Sequence, residues 1–232
     1  MKNYHLTWNK WRYLGLLIRE YFLSAIGKTK EAYLVRFERD AMITRGTPEF
    51  ILDYVGGYLK PGMRVLDIGC GDGYLLDQLK NNYAVQAVGV DYSPTRVFRA
   101  IRSGRCVARC DMHSLPFRTQ SFDIAIASNI LQQTLKPCDA LKEWASMIKR
   151  EGLLIIMLGD ISDFKRRWIT TAGQRWKVIG YSSQFRVTYS KSSLIDAIKD
   201  SNLHIEQLIE CSIQASPDHW IALCRKGKDR RE

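Results

Sequence analysis

The sequence predicts an α/β protein: a mostly parallel sheet with helices on both faces, preceded by a helical section. Three observations carry this. From Met63 to Leu158, short apolar runs alternate with helix-length segments, with no hairpin signal between them. Strands joined that way run parallel through right-handed crossovers. The first apolar run passes into a glycine-rich turn and then a helix, VLDIGCGDGYLLDQL at residues 65–79. Ahead of Met63 the apolar residues instead recur with a helical period.

In chain order, Trp8, Trp11, Leu14, Ile18, Phe22 and Ala25 form one apolar stripe, which Gly27 ends. Residues 30–43 read as a second helix. Thr47-Pro48 opens a third, with proline in the favoured first turn. Lys60-Pro61-Gly62 is a turn, so residues 1–60 are expected to form a helical cap and 61–232 the main domain. Strands are expected at 63–69, 84–93, 106–112, 122–129 and 151–158, with helices at 73–82, 95–104 and 137–150. Ser93 caps the second of these helices and Pro94 takes its first position. Residues 159–190 are rich in aromatic and basic side chains and too long for an ordinary connection, so they are expected to be a lid. A helix at 191–202 and strands at 203–212 and 219–227 follow, the strands joined by Ser216-Pro217-Asp218.

The 232 residues are 46% hydrophobic and 25% charged, the balance of a globular protein with a full core. A net charge of +11 favours anionic partners: nucleic acid, an anionic membrane surface or an acidic small molecule. Arg96, Arg99, Arg102 and Arg105 recur every three residues; a solvated face and a contact for an anion are both open readings. The six cysteines contain no C-x-x-C pair, and Cys106 and Cys110 lack the second pair that zinc needs, so no metal is expected. Free thiols in a reducing cytoplasm fit better. The apolar run near the start is too short for a span or a signal peptide, and a cytoplasmic location is the expectation.

Glycine-rich turns after a strand occur at dinucleotide sites, at S-adenosylmethionine (SAM) sites and at sites that bind neither. Here Tyr74 stands where a dinucleotide turn wants its third glycine. Asp67 ahead of Gly69 and Asp72 within the turn oppose a pyrophosphate and suit a cation. Asp91 closes the second strand, where an acid can accept from ribose hydroxyls. Asp111 follows the third strand with Met112 beside it, and the fourth ends in Ser128 and Asn129.

In order and spacing, residues 50–160 resemble the class I SAM-dependent methyltransferases. Leu115-Pro116-Phe117 and Ser121-Phe122-Asp123 resemble the branch with ubiquinone and menaquinone methyltransferases. The resemblance implies a Rossmann-like seven-stranded sheet with its last strand antiparallel, and SAM as the cofactor. It implies that Asp67, Gly69, Cys70, Gly71 and Gly73 hold the methionine end, that Asp91 holds the ribose and that Tyr92 flanks the adenine. Asp111 and Met112 would contact the adenine, with Ser128 and Asn129 beside the sulfonium.

One departure stands out. Where the family often carries N-x-L-x-H, this chain has Asn129-Ile130-Leu131-Gln132-Gln133, so an imidazole base is excluded there; Gln133 can orient an acceptor but cannot take its proton. His113 and His219 are the remaining candidates for acid–base work, each with a structural reading beside it. The expected activity is methyl transfer to a small or lipid-linked acceptor, anionic in keeping with the charge. RNA methylation and non-catalytic SAM binding are the alternatives. Against RNA, no N/D-P-P-Y/F tetrapeptide follows the fourth strand. Residues 4–26 are expected to cap the pocket, with Trp8, Trp11, Tyr33 and Phe37 as the aromatic cap candidates; contact to a membrane interface and plain packing are the other readings.

Overall fold

The computed structural model describes residues 18–19, 22–23, 50–159, 177–181, 184–213 and 216–226. Its centre is a seven-stranded sheet. The strands are β1 Arg64–Ile68, β2 Gln86–Asp91, β3 Val107–Arg109, β4 Phe122–Ser128, β5 Ile148–Gly159, β8 Leu203–Ile213 and β9 Ser216–Lys226. Their order across the sheet is β3-β2-β1-β4-β5-β9-β8. β1 to β5 pair in parallel. β9 enters between β5 and β8, antiparallel to both. The expected sheet, with its last strand antiparallel, is the one observed.

The helices are α1 Phe50–Val55, α2 Tyr74–Tyr83, α3 Pro94–Arg102, α4 Pro137–Met147 and α5 Lys191–Asp200. Strand residues feed two cores alternately, as a period of two requires. Leu66, Ala125 and Leu154 pack with Leu141 and Trp144 of α4 and Leu194 and Ile198 of α5. Val65, Ile124 and Leu153 pack on the other face with Ile51 and Val55 of α1 and Leu75, Leu76 and Leu79 of α2. The Ser93 hydroxyl accepts from the Arg96 N–H at 3.3 Å with Pro94 next to it, the cap that the sequence predicts.

Some boundaries differ from expectation. α4 stops at Met147, because fully buried Ile148 pairs with Phe122 and Gly152 lies tight against the Asp123 carbonyl. β9 begins at Ser216, so Ser216-Pro217-Asp218 is strand and not turn. Pro217 is tolerated because β5 ends opposite His219 and the β8 pairing shifts register there. Within 159–190, β6 Lys177–Tyr181 and β7 Gln184–Thr188 form a separate antiparallel hairpin. Trp8, Trp11, Tyr33, Phe37 and most of residues 1–49 lie outside the described residues; Ile18 and Phe22 are helical and each 60% exposed.

Candidate active site

The C-terminal ends of β1, β2, β3 and β4 converge, the usual place for a ligand in an open parallel sheet. β1 passes into the turn Gly69–Gly73, where Gly69, Gly71 and Gly73 have φ of 75°, 58° and 79°. Side chains are strained in that region. A Cβ on Gly69 would stand 2.8 Å from the Ile130 side chain, so the first glycine lets the turn meet the end of β4. The same atom on Gly71 would meet Arg96 Nη1 at 2.9 Å, and on Gly73 Arg105 Cδ at 2.8 Å.

Three carboxylates surround this turn, with Asp67, Asp72 and Asp91 only 3%, 6% and 8% exposed. Each solves burial differently. Asp91 accepts the Gly71 N–H on Oδ2 and the Ser93 N–H on Oδ1, both at 2.8 Å, and so ties the turn to β2. Desolvation still moves its pKa upward against those two bonds. Asp72 is clamped by Arg99: Nε donates to Oδ1 at 3.0 Å, and Nη2 reaches Oδ1 at 2.8 Å and Oδ2 at 2.9 Å. The expectation that Asp72 adds negative charge to the pocket is therefore corrected. Gly73, and not Asp72, takes the N-cap position of α2, without a side-chain bond. The Asp67 carboxylate makes no hydrogen bond among the described residues, and its pKa is pushed up to about 7, by desolvation first and by Asp91 second. Cys70 turns away: its sulfur would stand 2.6 Å from a Cβ on Gly89, so that glycine is where the thiol packs.

Tyr92 follows Asp91, and its carbonyl accepts from Arg109 Nε at 3.3 Å. Met112 offers its carbonyl to the indole N–H of Trp144 at 2.9 Å, and the Leu115 N–H donates to Glu143 Oε1 at 2.7 Å. α4 thereby fixes the segment carrying Asp111 and Met112. Asn129 sits at φ 54° with its N–H on the Met157 carbonyl at 2.8 Å.

The histidine candidates separate. His113 is locked within the protein: Nδ1 lies 2.7 Å from Asp111 Oδ1, and Nε2 lies 2.7 Å from Thr134 Oγ1. Thr134 Oγ1 also accepts the Lys136 N–H at 2.9 Å. In the neutral ring the Nδ1 proton goes to the carboxylate, and Nε2 accepts the threonine hydroxyl proton. Both ring nitrogens are thus engaged in joining the end of β3 to the turn after β4. His219 lies in β9 opposite Gly159 and Cys211, and its side chain is outside the description. Gln133 closes the 3-10 turn Leu131–Gln133, half-buried, where β7 packs against that turn. Tyr189, just after β7, points its hydroxyl at the Leu131 carbonyl at 3.5 Å. The sequence reading missed Thr134, Arg99 and Arg105 as parts of this architecture. For the arginines the three-residue spacing was the available signal.

Among the described residues no three His, Cys, Asp or Glu side chains are grouped as metal ligands. No helix among them is long and apolar enough to cross a membrane.

The chain is similar to a probable tRNA methyltransferase 9B of Mus musculus, 36% identical over 112 residues, 47% of this chain and 24% of that protein. It is similar to a ubiquinone biosynthesis O-methyltransferase of Bradyrhizobium diazoefficiens, 31% identical over 112 residues, 46% of this chain and 42% of that one. The matched part is thus under half the length of either relative. Among solved structures, a SAM-dependent methyltransferase from Methanosarcina mazei superposes with a TM-score of 0.63 at 17% identity, covering 76% of this chain and 98% of its own. The protein-family model described as methionine biosynthesis protein MetW matches residues 50–180. The chain has the class I SAM-dependent methyltransferase fold, and with more than half its length matched it belongs to the MetW family.

Proposed function

We propose that the protein is a SAM-dependent methyltransferase, and Asp67 is the observation that carries the reading. A carboxylate this buried, beside Asp91 and without a hydrogen-bond partner among the described residues, is stabilised by a cation. SAM brings an ammonium and a sulfonium, whereas a pyrophosphate would add charge of the wrong sign. The donor set therefore fits SAM. Gly69, Gly71 and Gly73 with Asp67 take the methionine end, and Cys70 contributes backbone only. The Asp91 oxygens each keep an acceptor direction for a ribose hydroxyl after binding Gly71 and Ser93. Tyr92 flanks the adenine, Asp111 and Met112 contact it, and Ser128 and Asn129 stand at the sulfonium end.

Bound SAM supplies a methyl group already activated toward displacement. The chain's own work is to hold the acceptor in line and keep water out. Gln133 and the β6–β7 hairpin against its turn are the acceptor side. The acceptor is a small or lipid-linked anion, in keeping with the net charge of +11 and the ubiquinone-pathway relative. Exposed Ile18 and Phe22 fit an interfacial role for residues 4–26 as well as a cap. The tRNA methyltransferase relative and the same charge favour RNA as the second reading. Incubation with methyl-labelled SAM and cell extract, fractionated into small molecules, lipids and RNA, tests both. Label in the first two supports the proposal, label in RNA the second reading, and no label in any fraction contradicts methyl transfer.

A further inference from the structure

A turn with glycine at three of five positions has little of its own to hold its shape, and an unbraced turn would spend ligand affinity on ordering itself. Asp91 anchors one amide, that of Gly71. The Gly69 and Cys70 amides donate to the Val90 carbonyl at 2.8 and 2.9 Å, and the Gly73 amide to the Cys70 carbonyl at 2.9 Å. The side chains that brace the Asp72 end come from α3 and the residues just beyond it. Arg99 engages both oxygens of Asp72, so a charge that burial would otherwise penalise is neutralised where it stands. Arg105 Nη1 donates to the Asp72 carbonyl at 2.7 Å and fixes the Asp72–Gly73 peptide. Its Nε and Nη2 are held by Asp77 Oδ2 at 2.9 and 2.7 Å, and its guanidinium lies 4.7 Å from the Tyr74 ring centre. The space at Gly71 and Gly73 is taken by Arg96 and Arg105, so these glycines admit arginines. Arg102 differs: it lies 5.7 Å from the Phe98 ring centre and makes no hydrogen bond to the turn among the described residues.

We propose that Arg99 and Arg105 are positioning residues: they hold the glycine turn in its ligand-binding shape and cancel Asp72, so that Asp67 and Asp91 alone set the charge facing the ligand. The proposal rests on the SAM reading for the identity of that ligand. It explains an arginine run that would otherwise pass for a solvated face.

The test pairs S-adenosylhomocysteine (SAH) affinity by calorimetry with hydrogen exchange of the 71–73 amides in ligand-free protein. Arg99→Met is expected to weaken SAH by roughly tenfold, the scale of a lost charge-assisted fork, and to speed exchange at 71–73 while β4 and β5 stay protected. Arg99→Lys, which keeps the charge without the fork, falls between; it replaces Arg99→Met should that variant not fold. Asp72→Asn in the Arg99→Met background restores much of the affinity, because no buried charge is left unpaired. Arg102→Ala behaves as wild type. Wild-type exchange and wild-type affinity in Arg99→Met would overturn the brace. Faster exchange in Arg99→Met with no SAH binding by wild type would keep the brace and remove the SAM reading.

Discussion

The two sides of the crevice are built by different means. On the cofactor side, from β1 to α3, the shape is set by backbone and buried charge: three glycines at positive φ, Asp91 on two amides and Asp72 under an arginine fork. On the proposed acceptor side, the turn Leu131–Gln133 is shaped by segments far away in sequence: His113 on Thr134, β7 against the turn and Tyr189 on Leu131. The first side is local, within some forty residues of chain. The second collects residues 113, 134 and 189, and meets the first where Ile130 packs against Gly69. A fold that keeps one donor and varies its acceptors is served by building the two sides from different parts of the chain.

The largest expected effect is at Gly69. Gly69→Val forces a branched side chain into φ 75° and onto Ile130, and is expected to reduce SAH binding by roughly 100-fold or more. Gly62→Ala is the contrast: φ is 80° but the space is open, so it should cost about 1 kcal/mol of stability and leave SAH affinity alone. Equal losses in both would show that backbone strain, and not the Ile130 contact, governs the site.

Next is Asp67, whose pKa near 7 lies above its ordinary 3.8. Between those values the folded, ligand-free protein binds the extra proton, so this group's stabilising contribution fades as pH rises from about 4 to 7. A cationic ligand prefers the ionised form. SAM affinity should therefore climb as pH passes through about 7, and Asp67→Asn should bind more weakly with a flattened profile. A wild-type profile flat across that window would count against Asp67 as the cation's partner.

On the proposed acceptor side effects on SAH should be smaller than at Gly69 or Asp67. His113→Ala opens the Asp111–Thr134 link and should lower unfolding stability by about 1–2 kcal/mol, with methyl turnover largely kept. Intact stability with lost turnover would instead make His113 a base. Gln133→Ala should leave SAH affinity unchanged and alter turnover of the acceptor; weakened SAH binding would erase the division between the two sides.

The same contrast explains what could be read from the sequence. Asp67, the glycines, the Ser93 cap and Asp91 follow from rules that act over a few residues, and their positions were legible. Asp72 was misjudged because its partner, Arg99, is 27 residues away and belongs to a helix face that looks solvated by spacing alone. The helix reading through 148–150 yielded to tertiary burial of Ile148. The hairpin left a weak trace, β-branched and aromatic residues on either side of Ser182-Ser183, hidden within a basic, aromatic insertion. His113 looked like a base because a sequence cannot show Thr134 already on its second nitrogen.

Calorimetric titration of the wild-type chain with SAH, repeated on Asp67→Asn, tests directly whether Asp67 holds the cationic end of the cofactor. One saturable site per wild-type chain is expected, with weaker binding to Asp67→Asn. No binding by a folded wild-type chain at any pH on either side of neutrality would contradict that assignment.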